Sequence, residues 1–238
     1  MRSLNQQRGF TLVEIAIVLI IIGLLLGGIL QGQELIASAR VRNIADQNSG
    51  VQAAYYGFID RYRQVPGDWN GASAAQAIPG VNTTIGGGND SGRLDAVGGN
   101  EWQEPLALWH QLSLAGFIQG NYVGGTSAPT AADANLAPRN AFNGFLAMYR
   151  SDDYDDANTP SERLNLVLGA GIPVEILREL DLKVDDGLPQ TGVLRHAVSS
   201  GAALGTHAQS TANCVDASAP PVWNIAGNET LCNAVYLY

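Results

Sequence analysis

Hydrophobic and polar positions divide the chain into three regimes. Residues 15–33, IAIVLIIIGLLLGGILQGQ, carry no charge. As a helix rising about 1.5 Å per residue, this run crosses most of the roughly 30 Å of hydrocarbon in a bilayer. The next stretch, ELIASARVRNIADQNSGVQAAYYGFIDRYRQVPGDW, places apolar residues at Ile44, Val51, Tyr55, Phe58 and Tyr62. Steps of seven, four, three and four put them on one helical face. Proline is absent from Phe10 to Val65, and Pro66-Gly67 then supplies a stop. The pattern predicts one helix from Phe10 to Tyr62, about 80 Å long, whose second half packs on a globular domain. Gly27 and Gly28 lie mid-helix with Gly23 and Gly32 nearby. They either allow local extension or let a neighbouring helix approach closely.

From Pro66 onward Gly, Asn, Asp, Ala and Thr dominate. Residues 70–100 and 121–141 read as long loops. Between them EWQEPLALWHQLSLAGFIQG reads as a helix with Trp102, Leu106, Trp109, Leu112 and Phe117 inward. FLAMYR (145–150) and LNLVLG (164–169) read as strands around an acidic loop, and PVEILRELDLKVDDG as a short helix opening at Pro173. TGVLRHAV and NAVYLY complete the strands. A long helix followed by mostly late strands predicts an α+β fold, with the N-terminal helix packed on a C-terminal domain containing an antiparallel sheet.

Glu14 interrupts the apolar start, and the next charge is Glu34. An ionised carboxylate at bilayer depth costs a few kcal/mol on insertion scales, so this acid needs a partner or a task. A secretory signal peptide explains the basic leader (Arg2, Arg8), but the A-x-A site expected after its core is absent. An ordinary anchor explains the length and the arginines but not Glu14. The stretch Arg8-Gly9-Phe10-Thr11-Leu12-Val13-Glu14 resembles the prepilin signal of type IV pilins and type II secretion pseudopilins. That resemblance implies cleavage between Gly9 and Phe10 by a membrane prepilin peptidase, with N-methylation of the new Phe10 amine. It also implies that Glu14 pairs with the Phe amine of a neighbouring subunit during assembly. A buried charge is tolerable when paired. The local alternative leaves Glu14 in the first helical turn, favoured by the helix dipole.

The implied organisation is a cleaved leader (1–9), a membrane and filament-core half-helix (10–36) and a globular pilin-like domain (37–238). The implied function is a structural subunit of a type IV pilus-like filament. Its partners would be copies of itself, the peptidase, the pilus or secretion assembly machinery and the inner membrane, before it reaches the cell surface or the periplasm. The alternatives are a type II secretion pseudopilin and an exported enzyme or binding protein on a pilin scaffold; the missing helix proline favours a pseudopilin or minor pilin, whereas the large domain with its late cysteine pair favours a pilin. YRQVPGDW, EWQEPLALWHQLSLAGFIQG and LDLKVDDGLPQTGVLR are similar to segments of large prepilin-like proteins.

Charge and candidate chemistry narrow the picture further. Formal net charge is −9, which argues against nucleic acid as a primary partner. Cys214 and Cys232 are the two cysteines. They are buried thiols in a cytosolic protein or a disulfide in an exported one, and the prepilin resemblance implies the disulfide. No cofactor is indicated, except that acidic loops offer oxygen ligands for calcium. The first candidate set is Asn89, Asp90, Asp95 and Glu101. Others are Asp152, Asp153, Asp155 and Asp156, or Asp185 and Asp186 before Gly187. The three histidines lack metal-ligand spacing and no motif frames a nucleophilic serine, so the expectation is a protein that is not an enzyme.

Overall fold

A computed structural model describes residues 12–130, 132–198, 210 and 212–238. The chain divides into two units, residues 1–40 and 41–238, a division four residues beyond the expected end of the filament-core half-helix. The first described element, helix α1 (Leu12–Tyr62), is unbroken.

Within the larger unit, α1 buries Val41, Ile44, Val51, Ala54, Tyr55 and Phe58, the face that the spacing predicts. The helix ends before the proline: Arg63 takes a left-handed φ of 57°. Gly67 follows at φ 89°, where a Cβ would lie 2.5 Å from the Glu104 carbonyl oxygen. Glycine is required there by both conformation and close approach. Helix α2 (Gly71–Ala77) is capped by Asn70, whose side chain accepts the Ala72 N–H. It is a departure from the expected continuous loop, because GASAAQA carries no apolar stripe that would announce it.

Helix α3 (Gln103–Leu114) is buried over the whole run from Glu104 to Leu112. Its polar side chains are therefore committed to internal bonds. Gln111 Nε2 donates to the carbonyls of Trp69 and Gly86 (both 2.8 Å), and its Oε1 accepts the Gly67 N–H at 2.9 Å. His110 Nε2 accepts the Asn82 N–H at 3.0 Å while Nδ1 lies 2.8 Å from the Tyr122 carbonyl.

The main sheet has the order β1-β2-β6-β3 and is antiparallel throughout. Its strands are β1 (Ala147–Ser151), β2 (Arg163–Val167), β3 (Leu194–His196) and β6 (Ala234–Leu237). Leu166 and Leu194 flank Tyr236 in register, and all four β6 residues are buried. Ala147, Tyr149, Val167, Val235 and Leu237 form a core cluster with Tyr154 and Ala197, against which Trp102 packs. Helix α4 (Val174–Val184) precedes β3. A small hairpin, β4 (Val215–Asp216) with β5 (Val222–Trp223), lies in the segment bracketed by a Cys214–Cys232 disulfide.

Candidate functional site

The large apolar side chains of the N-terminal segment are exposed rather than packed in a core. From Leu12 to Leu30 the large apolar residues are exposed, Leu12 at 90% and Leu24 at 73% among them. The apolar part of α1 is long enough to cross a membrane, and none of it is buried. Positions 23, 27, 28 and 32 have no heavy atom within 4 Å of where a Cβ would sit, so packing within the chain does not explain these glycines. Glu14 lies in the first turn of α1 and is exposed. Negative charge is favourable there because the helix N-terminus carries partial positive charge. Gly9 and Phe10 lie outside the described residues.

The globular unit contains a second group of notable carboxylates. Glu104, wholly buried in the first turn of α3, accepts the Asn89 N–H on Oε1 (3.3 Å) and the Asp95 N–H on Oε2 (2.7 Å). Burial, with the Asp68 and Asp95 charges adding, pushes its carboxyl up to about 8. Asp68 is also buried and accepts the Ser91 and Gly92 N–H groups at 2.8 Å. These two acids hold down the loop that sequence reading offers as a calcium ligand set. Asp90 turns instead to the Asn70 N–H at 2.8 Å. Among the described residues, Asp90, Asp95 and Glu101 do not gather to within 4.8 Å of one another. The backbone in this loop faces Glu104, not Glu101. In the acidic loop after β1, Asp155 bonds His196 Nδ1 at 2.7 Å and Asp156 bonds Arg195 at 3.0 Å.

Asp181, Asp185 and Asp186 do converge, each with a carboxylate oxygen within 4.8 Å of the others. Asp181 is wholly buried near the end of α4, and the Trp223 indole N–H donates to its Oδ2 at 2.7 Å. Its Oδ1 is buried and accepts no hydrogen bond of normal geometry, although the nearby Gly187 N–H favours the charged form. Burial, with the Asp186 and Asp185 charges adding, pushes the Asp181 carboxyl up to about 6. Asp185 accepts the N–H of Val193. Asp186 accepts the Leu188 N–H at 2.9 Å and the Thr191 hydroxyl. Sequence reading named Asp185 and Asp186 and missed Asp181. The available signal was its spacing: Val174, Leu177 and Asp181 share one face of α4, so an acid occupies an inward position.

Residues 4–30 match the family model described as the prokaryotic N-terminal methylation motif. This is the prepilin-type signal of type IV pilins and pseudopilins. No curated protein and no solved structure matches this chain. The motif and the apolar helix beside it fit a membrane-anchored precursor, and they point to a structural protein. The long helix and the antiparallel sheet domain are consistent with pilin-like α+β architecture.

Proposed function

We propose that this protein is a structural subunit of a type IV pilus-like filament, processed from a membrane prepilin and polymerised through its N-terminal helix. One observation carries the reading. The methylation motif at residues 4–30 overlaps the exposed apolar run from Leu12 to Leu30. In water such a surface is an association liability. In a membrane, and then between subunits, it is the assembly element. Cleavage after Gly9 frees the Phe10 amine one helical turn before Glu14, so each subunit offers one cation and one anion to its neighbours. The same helix favours a second reading, a type II secretion pseudopilin, because proline is absent from Phe10 to Val65.

Intact-mass measurement of the native protein, together with electron microscopy and mass spectrometry of sheared surface filaments, tests both steps. The expected result is a chain beginning at N-methyl-Phe10 that is present in the filaments. A native chain beginning at Met1 overturns the processing step. A processed chain found only in the periplasm and inner membrane assigns the pseudopilin role.

A further inference from the structure

We propose that the cleft beside residues 140–145 is a binding site for a small aromatic carboxylate. The cleft holds about 620 Å³, within the range of small-molecule sites. Its charged lining residue is Arg139, and no carboxylate lines it among the described residues. Asp133, whose charge also acts on Arg139, accepts the Thr130 N–H (2.8 Å) and hydroxyl (2.6 Å) and stays outside the lining. Local charge therefore favours an anion, although the whole chain carries −9. The rest of the lining is mostly apolar, with Pro129, Phe142, Phe145 and the exposed Leu231. An inorganic anion would leave this surface wet, whereas a ring attached to the carboxylate would cover it.

The arginine is held in place before any ligand arrives. Its guanidinium carbon lies 4.2 Å from the centroid of the Phe145 ring, a stacking that arginine adopts readily. Its backbone bridges to Phe145, and its carbonyl accepts Gln47 Nε2 from α1 at 2.9 Å. A guanidinium has five N–H donors, so internal bonds leave others for a ligand. A carboxylate matches that fork with two parallel bonds. The turn carrying both phenylalanines is fixed by the buried Asn140. Its Oδ1 accepts the Phe142 and Gly144 N–H groups at 2.7 and 2.9 Å, and its Nδ2 donates to the Leu168 and Gly169 carbonyls at 2.8 and 3.1 Å. Gly144 and Gly171 line the cleft without side chains to fill it. A preformed site of this kind loses little in ordering when a ligand enters.

Calorimetric titration of the detergent-solubilised full chain with 3-phenylpropionate tests the site, after subtraction of a titration into detergent alone. One site per chain is expected, with a dissociation constant of about 1 mM, ordinary for so small a ligand. The neutral isostere, 3-phenylpropanamide, should bind at least about tenfold more weakly. Arg139→Gln should bring the carboxylate down to the level of the amide. Leu231→Glu, at an exposed position on the rim, should weaken the carboxylate at least about threefold by repulsion. Arg178→Gln, on the exposed side of α4, should bind as the wild type does. Absence of binding to the wild-type chain at millimolar 3-phenylpropionate overturns the proposal. So does equal binding of the acid and the amide. Unchanged binding in Leu231→Glu also overturns it, by placing the ligand elsewhere on the chain. The wild-type comparison of acid with amide decides the matter even if a substituted chain fails to fold.

Discussion

The Tyr238 hydroxyl donates to Asn48 Oδ1 at 2.5 Å, joining α1 to a residue 190 positions later in the chain. One residue earlier, α1 sends Gln47 Nε2 to the Arg139 carbonyl at 2.9 Å. Side chains of the long helix are thus bonded to segments far apart in sequence, and this turn of α1 belongs to the globular unit. Tyr238→Phe removes the donor with little loss of volume and should cost about 1 kcal/mol, the usual net value of such a bond. Urea unfolding of Tyr238→Phe, Asn48→Ala and the double variant measures it. A coupling energy near zero would show that the pair contributes nothing beyond packing.

Stability should fall as pH rises through the range set by Glu104. Its carboxyl ordinarily titrates at 4.5 and is pushed to about 8 in the fold, chiefly by burial. Between those values the folded chain holds a proton that the unfolded chain has released, so raising pH favours unfolding. This contribution is complete below about pH 4.5, declines up to about pH 8 and is level above that. Glu104→Gln should remove this slope. It should also lower the baseline, because an amide NH₂ would face the Asn89 or Asp95 N–H that the carboxyl now accepts. Urea midpoints from pH 5 to 9 provide the comparison, and an unchanged slope in Glu104→Gln would assign the pH dependence to other groups.

Reduction of the Cys214–Cys232 bond should destabilise the chain by about 3 kcal/mol, the chain-entropy value for a loop of this size. The cysteines are 18 positions apart. The bond closes a loop containing the small β4–β5 hairpin and a short 3-10 turn at Ile225–Gly227, and ties it to Cys232, whose backbone pairs with Ile172. Trp223 lies on that hairpin, so reduction should also loosen the indole's hold on Asp181. Alkylation of the denatured, unreduced protein should modify neither cysteine. Modification of both would show that the bond is absent from the native protein.

Glu14→Ala should leave the protein folded and membrane-inserted while sharply reducing filament yield. Losing a charge at depth favours insertion, whereas the proposed ion pair with a neighbouring Phe10 amine disappears. Glu14→Gln separates charge from size and should behave like alanine. The ratio of sheared filaments to total membrane protein is the readout. A normal ratio in both variants would confine Glu14 to a local role in the first turn of α1.

The elements were legible wherever one face was apolar and the other polar. The buried stripe of α1, the start of α4 after Pro173 and the positions of β1, β2 and β6 all follow from that contrast. The hairpin β4–β5 was not legible, because two-residue strands leave no periodicity and its placement depends on a covalent bond. Helix α3 was found, but not its burial on every side. Glu104, His110 and Gln111 look like solvated positions until their long-range backbone partners are known. Carboxylate clusters suffer the same loss. Asp90 and Asp95 are close in sequence yet bond in different directions, while Asp181 joins Asp185 and Asp186 only because one helical turn brings it beneath them.

The position of β6 within the sheet has a consequence for biogenesis. This strand, the last in chain order, lies between β2 and β3, so the β1–β2 pair and β3 share no neighbour until residues 234–237 arrive. A polypeptide threaded across a membrane from its N-terminal side cannot close the sheet while those residues are still in transit. The non-local pairing also makes closure slow. On the proposed function, the translocated portion would pass through an interval with unsatisfied strand edges and an open core. An apolar helix anchored in the membrane, as that function requires, would keep each such chain at the membrane surface throughout that interval and limit its encounters with other unfolded copies.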